Sequence, residues 1–244
     1  MTASLDGKRI LVVGASAGIG KATGLAAAAD GARVAFTARR GEILDEIVGG
    51  LEGCVALPCD VADPAAAMAT VDAAAEALGG LDAVIYVAGI FPIGLIDETD
   101  ASEWQRVFDV NIFGAAAVCR AASPHLKASG GRIVFISSNA PERPWPGMVV
   151  YAASKAALDS LVAGWNHENP DVGATRVIVG PTFTDTDTGW DIDLAMRLHA
   201  QWNAGGYLAE EPQIQQPEDV AEAVCTVLRS NTRITDIRVV PPGV

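Results

Sequence analysis

Three features of the sequence predict a doubly wound α/β fold, with about seven parallel strands and helices on both faces of the sheet. Short apolar runs alternate with longer helical segments along the chain. The runs are continuously apolar, which is typical of parallel strands that are covered on both faces. The 244 residues are enough for one sizeable core, and the sequence contains no internal repeat or linker. We therefore expect one domain over residues 1–244.

The strands and helices follow one another in a regular order. The predicted strands are the short apolar runs, at 9–14, 33–38, 54–58, 81–89, 131–137, 175–180 and 236–241. The predicted helices are the segments between them, at 18–30, 41–51, 64–78, 101–127, 151–168 and 217–229. Pro64 and Pro217 fit the first turns of their helices, and Asp63 can cap the first of these two.

One segment interrupts this alternation, between the sixth predicted strand and the last predicted helix. Residues 182–216 carry Trp190, Trp202, Tyr207 and Met196 among polar residues. Irregular insertions of this length in compact domains are usually functional. We expect the segment to form a substrate lid.

The composition argues against several classes of function. A net charge of −13 repels nucleic acid and anionic membranes. No apolar run approaches the ~18 residues that span a bilayer, and the N-terminus lacks the layout of a secretory signal. The four cysteines and three histidines show no metal-ligand spacing. We expect a cytoplasmic protein with reduced thiols and no metal site.

The stretch "VVGASAGIGKA" places Gly14, Gly18 and Gly20 between the first strand and the first helix. In a Rossmann-like fold, such a loop lets the helix N-terminus bind the diphosphate of a dinucleotide. A Walker loop is excluded, because it would need glycine at position 15 and serine or threonine at position 22, where the chain has Ala15 and Ala22. The alternative is that the glycines serve packing alone.

The second predicted strand ends with Arg39 and Arg40, without the carboxylate that usually binds the ribose of NAD. Two guanidinium groups favour the 2′-phosphate of NADP(H), although NAD(H) remains possible. The alternative is that both are solvated residues at the start of a helix.

"YAASK" places Tyr151 and Lys155 one helical turn apart. Ser138 follows the fifth predicted strand, at the sheet edge where doubly wound folds bind ligands. An adjacent ammonium, together with the positive nicotinamide of an oxidised cofactor, favours the ionised phenol. Tyr151 could then act as an acid or base near pH 7–8, while Ser138 binds the substrate oxygen. Taken singly, each residue also has an ordinary structural explanation.

In order and register, these motifs resemble the short-chain dehydrogenases/reductases over nearly the whole chain. "CDVAD" (59–63) is similar to the adenine-contacting turn of the family, "YVAG" (86–89) to its Asn-Ala-Gly turn, and "GPTFTDT" (180–186) to its nicotinamide-contacting segment. The resemblance implies that Asn111 joins the catalytic group and anchors a water route to Lys155. Lys155 would also hold the nicotinamide ribose.

With the two arginines, the expected cofactor contacts are Gly14, Ser16, Gly18, Ile19, Gly20, Arg39, Arg40, Asp60, Val61, Ala88, Gly89, Tyr151, Lys155, Pro181, Thr184 and Thr186. Three positions depart from the family pattern: Val13 replaces a threonine, Val87 an asparagine and Thr182 a glycine. We expect the first to remove a local hydrogen bond and the second to lower stability. The third affects the geometry of the lid.

The sequence therefore predicts an oxidoreductase that transfers a hydride between NADP(H) and a ketone or secondary alcohol. Three segments, at 90–96, at 139–150 and in the lid, are expected to line the pocket and favour a small hydrophobic carbonyl compound; their apolar side chains are Phe91, Ile93, Trp145, Met148, Trp190 and Trp202. The alternative is that several of these side chains only pack the lid. Alternatives are a 3-oxoacyl-thioester reductase, an epimerase or dehydratase, and an NAD(P)-binding sensor or scaffold without turnover. The resemblance also implies a homotetramer or homodimer, assembled through the helices at 101–127 and 151–168.

Overall fold

Seven parallel strands form one sheet in the order β3-β2-β1-β4-β5-β6-β7, in a computed structural model that describes residues 4–185, 189–210 and 213–241. This confirms the predicted doubly wound sheet. The strands are β1 (Arg9–Val13), β2 (Arg33–Ala38), β3 (Val55–Pro58), β4 (Ala83–Tyr86), β5 (Arg132–Ser138), β6 (Gly173–Val179) and β7 (Asp236–Val239).

Helices connect the strands and cover both faces of the sheet. They are α1 (Gly18–Ala29), α2 (Gly41–Val48), α3 (Pro64–Leu78), α4 (Ala101–Phe108), α5 (Gly114–Ser129), α6 (Val149–Glu168), α7 (Ile192–Ala204), α8 (Tyr207–Glu210) and α9 (Pro217–Arg229). A π-helical turn, Asp109–Phe113, joins α4 to α5. The predicted helix over 101–127 is therefore interrupted at the turn that contains Asn111.

Strands β1 to β6 each contribute to two apolar clusters, one on each face of the sheet, whereas β7 contributes to one of them. In β1, Leu11 and Val13 pack in the cluster that includes Val118 of α5, whereas Ile10 and Val12 pack in the cluster that α1 and α9 cover. Successive side chains of a strand point to opposite faces, so a strand buried on both sides must be apolar throughout. This explains the continuous apolar runs in the sequence.

The strand order reverses direction between β1 and β4, and the two loops that follow these strands meet there. The backbone amides of Val87 and Ala88 both donate to the Val13 carbonyl at 2.8 Å. Gly14 has φ of +95°, and a Cβ at this position would lie 2.6 Å from the Ala88 nitrogen. Only glycine permits this approach. The crevice at such a reversal is the usual ligand site of an open α/β sheet.

The predicted helix starts at two positions are confirmed. The Asp63 carboxylate accepts hydrogen bonds from the amides of Ala65 and Ala66, at 2.9 and 3.2 Å, and Pro64 is the first residue of α3. Pro217 begins α9 in the same way. The strand predicted at 81–89 is shorter in the structure, because after Tyr86 the chain turns toward the glycine loop.

The segment predicted as a lid contains α7 and α8. It is fixed at its base by Thr182, whose hydroxyl donates to the Gly180 carbonyl (2.9 Å) and accepts from Nε2 of Gln215 (3.0 Å). The amide of Phe183 also donates to the Gln215 carbonyl at 2.8 Å. The threonine that replaces the family glycine therefore ties the two ends of the lid together.

Within the described ranges, no helix combines the length and the apolar character that a membrane span requires. The histidine, cysteine and acidic side chains of the same ranges form no group of three that could bind a metal ion. All four cysteines are free thiols.

A buried hydroxyl links the sheet to the π-helical turn, and its removal should cost stability. Tyr86 is 1% exposed and donates from Oη to the Val110 carbonyl at 2.5 Å. We expect Tyr86→Phe to lower the free energy of unfolding by about 1–2 kcal/mol, because a buried carbonyl loses its partner. Urea denaturation followed by circular dichroism measures the difference.

Thr23 provides the matched control, because its buried hydroxyl has no hydrogen-bond partner among the described residues. Thr23→Val should leave the free energy of unfolding unchanged or raise it. Equal losses in the two variants would contradict the importance of the Tyr86 hydrogen bond.

Candidate active site

The structure brings Ser138 and Tyr151 together at the carboxyl edge of the sheet. Ser138 is the last residue of β5, and its hydroxyl accepts a hydrogen bond from the Ala140 amide at 3.1 Å. Tyr151 lies in the first turn of α6, and its side chain is hydrogen bonded to that of Ser138. Two hydroxyls in contact at this edge can both reach one substrate oxygen.

Lys155 lies one turn further along α6 and is 4% exposed. Its Nζ lies 5.7 Å from the centre of the Tyr151 ring and donates to the Ile136 carbonyl of β5 at 2.8 Å. The ammonium is therefore held between α6 and β5, close to the phenol. The hydrogen bond to a backbone carbonyl was not predicted, since the sequence does not show which backbone atom faces a side chain.

Burial shifts the pKa values of both groups toward their neutral forms. It raises the pKa of the Tyr151 phenol, whereas the hydrogen bond from Ser138 lowers it. It also lowers the pKa of the Lys155 ammonium to about 8, against the attraction of Asp159. The sequence predicted a lowered pKa for Tyr151 when the positive nicotinamide lies beside it, and that stays a prediction. In the chain without cofactor, desolvation shifts the pKa of the phenol in the opposite direction.

Asn111 is fully buried, and its amide joins the loop after β4 to α6. Its Oδ1 accepts from the Ile90 amide at 2.8 Å, and its Nδ2 donates to the Ile90 carbonyl at 3.1 Å and to Ser154 Oγ at 2.9 Å. The π-helical turn directs this side chain inward. The water route from Asn111 to Lys155 that the family resemblance implies stays a prediction.

Gly89 lies between Asn111 and Lys155. A Cβ at Gly89 would be 3.4 Å from Asn111 Oδ1 and 3.7 Å from Lys155 Nζ. The turn predicted to contact the cofactor therefore adjoins the predicted catalytic group.

The glycine loop opens α1 beside this site. A Cβ at Gly20 would lie 2.1 Å from the Gly14 carbonyl oxygen, so the packing of the loop itself requires glycine at position 20. The Gly18 amide donates to Oδ1 of Asp185 in the lid at 2.9 Å. A carboxylate thus accepts from an amide at the helix N-terminus, the end of a helix that favours negative charge.

The other predicted cofactor residues lie around this loop. Nη2 of Arg40 donates to Ser16 Oγ at 3.0 Å, while Arg39 is exposed at the end of β2. The Thr184 methyl lies 3.0 Å from where a Gly18 Cβ would be. Thr186 lies outside the described residues. Ile19, Val61 and Pro181 are at least partly buried, and Asp60 is exposed in its turn.

An aromatic group extends from Tyr151 toward the lid. The Phe91 ring lies 4.8 Å from the Tyr151 ring and 5.1 Å from the Trp190 ring, measured between centroids. Trp190 Nε1 donates to the Phe91 carbonyl at 2.8 Å. Beyond Trp190, an open groove of about 620 Å³ is lined by Ile192, Met196 and other residues of α7.

Two further aromatic residues have a different role from the one expected. Trp202 is 8% exposed, its ring lies 5.4 Å from that of Trp145, and its Nε1 donates to the Pro146 carbonyl at 2.8 Å. These tryptophans therefore pack the lid against the loop before α6. The prediction that they line the pocket is not supported by these contacts.

Sequence reasoning missed two acidic residues. Asp185 was overlooked because it meets Gly18 across 167 positions of sequence, which no local pattern reveals. Asp159 was detectable, because it lies four residues after Lys155 and thus on the same face of α6.

Comparison with known proteins agrees with this geometry. A family model described as short chain dehydrogenase matches residues 8–196, which is more than half of the chain. A solved short chain dehydrogenase from Burkholderia cenocepacia, in complex with NADP, is 34% identical and superimposes with a TM-score of 0.82 over 97% of both chains.

Curated relatives include a glycine betaine reductase of Emericella nidulans, 34% identical over 230 residues. That alignment covers 92% of this chain but only 18% of the longer fungal protein. The 2,3-dihydro-2,3-dihydroxybenzoate dehydrogenase of Escherichia coli is 32% identical over 246 residues, which cover 95% of each chain. The chain belongs to the short-chain dehydrogenase family.

Proposed function

We propose that the protein transfers a hydride between NADP(H) and a ketone or secondary alcohol. The observation that carries this proposal is the hydrogen-bonded pair of Ser138 and Tyr151, with the buried Lys155 ammonium next to it. This group lies at the same sheet edge as an anion-binding glycine loop. The names of the relatives, which include a reductase and a dehydrogenase, support the same class of reaction.

The chemistry requires a proton donor at the substrate oxygen, while the nicotinamide supplies the hydride when NADPH is bound. A phenol whose pKa is raised by burial keeps its proton at neutral pH and can donate it as the carbonyl is reduced. The Lys155 ammonium, with a pKa of about 8, is mostly charged at pH 7 and attracts the phenolate that forms. Ser138 orients the same oxygen. Each residue thus stabilises charge that develops during the reaction.

The choice of NADP(H) rests on Arg39 and Arg40. The Arg40 guanidinium already lies against Ser16 of the glycine loop, near the position where a Rossmann-like fold binds the adenosine ribose. Guanidinium groups bind a 2′-phosphate through charged hydrogen bonds. The neighbouring structure with bound NADP supports this choice.

The substrate proposal rests on the aromatic group beside Tyr151. Phe91 and Trp190 present apolar surface at the reacting hydroxyl, which favours a small hydrophobic carbonyl compound. A 3-oxoacyl group on an acidic carrier protein fits less well, because the net charge of −13 repels such a partner. A sensor without turnover is disfavoured because Ser138 and Tyr151 remain paired for chemistry.

Removal of the proton donor should abolish turnover. We expect Tyr151→Phe to reduce NADPH consumption across a panel of hydrophobic ketones by about a hundredfold or more, since a general acid contributes ~10²–10⁴-fold. Binding of NADPH, followed by its fluorescence, should persist and serves as the control for folding. Turnover close to the wild-type rate would refute the assignment of Tyr151.

The two arginines should discriminate between the cofactors. We expect Arg39→Ala/Arg40→Ala to raise the Michaelis constant for NADPH by about tenfold or more and to change that for NADH little, because only NADPH carries the 2′-phosphate. Arg33→Ala is the matched control, since Arg33 lies at the opposite end of β2 and donates to the Leu78 carbonyl. Equal effects on both cofactors would remove the argument for NADP(H).

The carboxylate of Asp185 should weaken cofactor binding, because it holds an amide at the proposed diphosphate site and repels phosphate. We expect Asp185→Asn to lower the Kd for NADP(H) by up to about tenfold, which corresponds to ~1.4 kcal/mol. Isothermal titration calorimetry measures this change. Asp193→Asn, which removes an exposed lid charge from α7, controls for the change in net charge. An unchanged or weaker affinity in Asp185→Asn would contradict the competition.

A further inference from the structure

Asp159 lies on α6 one turn after Lys155, and the mechanism above does not use it. Its side chain is 19% exposed. Oδ1 accepts a hydrogen bond from Ser137 Oγ of β5 at 2.6 Å, and Oδ2 pairs with Nη1 of Arg176 of β6 at 3.1 Å. A carboxylate held by two strands in this way has a fixed position.

The position of Ser137 gives this contact its significance. Ser137 lies between Ile136, whose carbonyl accepts from Lys155, and Ser138, which is bonded to Tyr151. The hydrogen bond from Ser137 to Asp159 therefore fixes α6 against β5. It does so between the two β5 residues that contact Lys155 and Tyr151. A shift of α6 along β5 would break all three contacts together.

We propose that Asp159 is a positioning residue, which keeps the Lys155 ammonium charged and holds α6 in register with β5. The inference rests on the proposed function, in which Lys155 assists the phenol. Asp159 acts through Lys155 and is not itself in contact with the reacting atoms.

The sign of the electrostatic effect follows from the charges. Burial of Lys155 lowers its pKa to about 8, and Asp159 is the neighbour whose attraction opposes this shift. Without that carboxylate the pKa should fall further, by on the order of one unit. At pH 8 the charged fraction would then drop from about a half to about a tenth.

Among the described residues, Asp159 is the one negatively charged group that acts on the Lys155 ammonium. The loop after β4 and the π-helical turn present the Gly89 backbone and the neutral Asn111 amide. Strand β6 contributes Arg176, a cation, which also pairs with Asp236 of β7 at 2.7 Å. The titratable or charged groups of these elements that lie near Lys155 are Tyr151, Asp159 and Arg176, with Asp236 beyond Arg176.

The ammonium can be titrated directly, because the chain has only four lysines. In full-length protein labelled with ¹³C-lysine, the ε-carbon resonance of Lys155 is the one that Lys155→Met removes. We expect it to titrate near 8 in the wild type and about one pH unit lower in Asp159→Asn. Asp236→Asn is the matched control, since it removes a carboxylate from the same arginine, and it should shift the Lys155 titration clearly less than Asp159→Asn does.

The same titration overturns the proposal if Asp159→Asn behaves like the wild type or if both variants shift equally. Should Asp159→Asn fail to fold by circular dichroism, Arg176→Gln provides the decisive test. It removes the cation that partly neutralises Asp159, so Lys155 should titrate at higher pH than in the wild type. An unchanged or lower value would contradict the proposal.

The activity profile tests the consequence for catalysis. For ketone reduction, the alkaline limb of the pH profile should move down by about one unit in Asp159→Asn and move clearly less in Asp236→Asn. An unmoved alkaline limb in Asp159→Asn would contradict the proposal. Absence of turnover in the wild type with every ketone would instead refute the proposed function, while the lysine titration would still decide the role of Asp159.

Discussion

Lys155 places an ammonium group in the interior of the protein, since only 4% of the residue is exposed. The other residues of the site lie around this group. The fall of its pKa from 10.5 to about 8 corresponds to roughly 3 kcal/mol against the charged form. This net cost already includes the attraction of the nearby Asp159 carboxylate, and the Ile136 carbonyl accepts a hydrogen bond from the ammonium. These contacts fix α6 against the end of β5, and that placement in turn sets the distance between Tyr151 and Ser138.

The glycine loop and the lid form the second half of the site. The Thr182–Gln215 contacts hold the two ends of the lid together, and Asp185 lies on the Gly18 amide at the start of α1. A dinucleotide that binds at this helix N-terminus has to replace that carboxylate. In a chain with a net charge of −13, the loop amides and the two arginines after β2 are the features that favour an anionic cofactor.

Much of the fold could be predicted, because continuous apolar runs, Asp63 and the helix-start prolines are local signals. The grouping of Ser138, Tyr151 and Lys155 also followed from spacing and from their place at the sheet edge. The π-helical turn around Asn111 could not be predicted, since one extra residue in a long helix hardly changes its apolar period. The direction of the Tyr151 pKa depends on burial and was therefore beyond a sequence pattern.

The account requires that the phenol of Tyr151 becomes more acidic when a positive nicotinamide lies beside it. The most direct test is a titration of the ¹³Cζ resonances of the three tyrosines, in the free protein and with NADP⁺ bound. We expect Tyr151 to titrate above the ordinary range of a tyrosine in the free protein, because burial raises its pKa, and at a distinctly lower pH in the complex. A phenol that titrates at the same pH in both states would contradict the account.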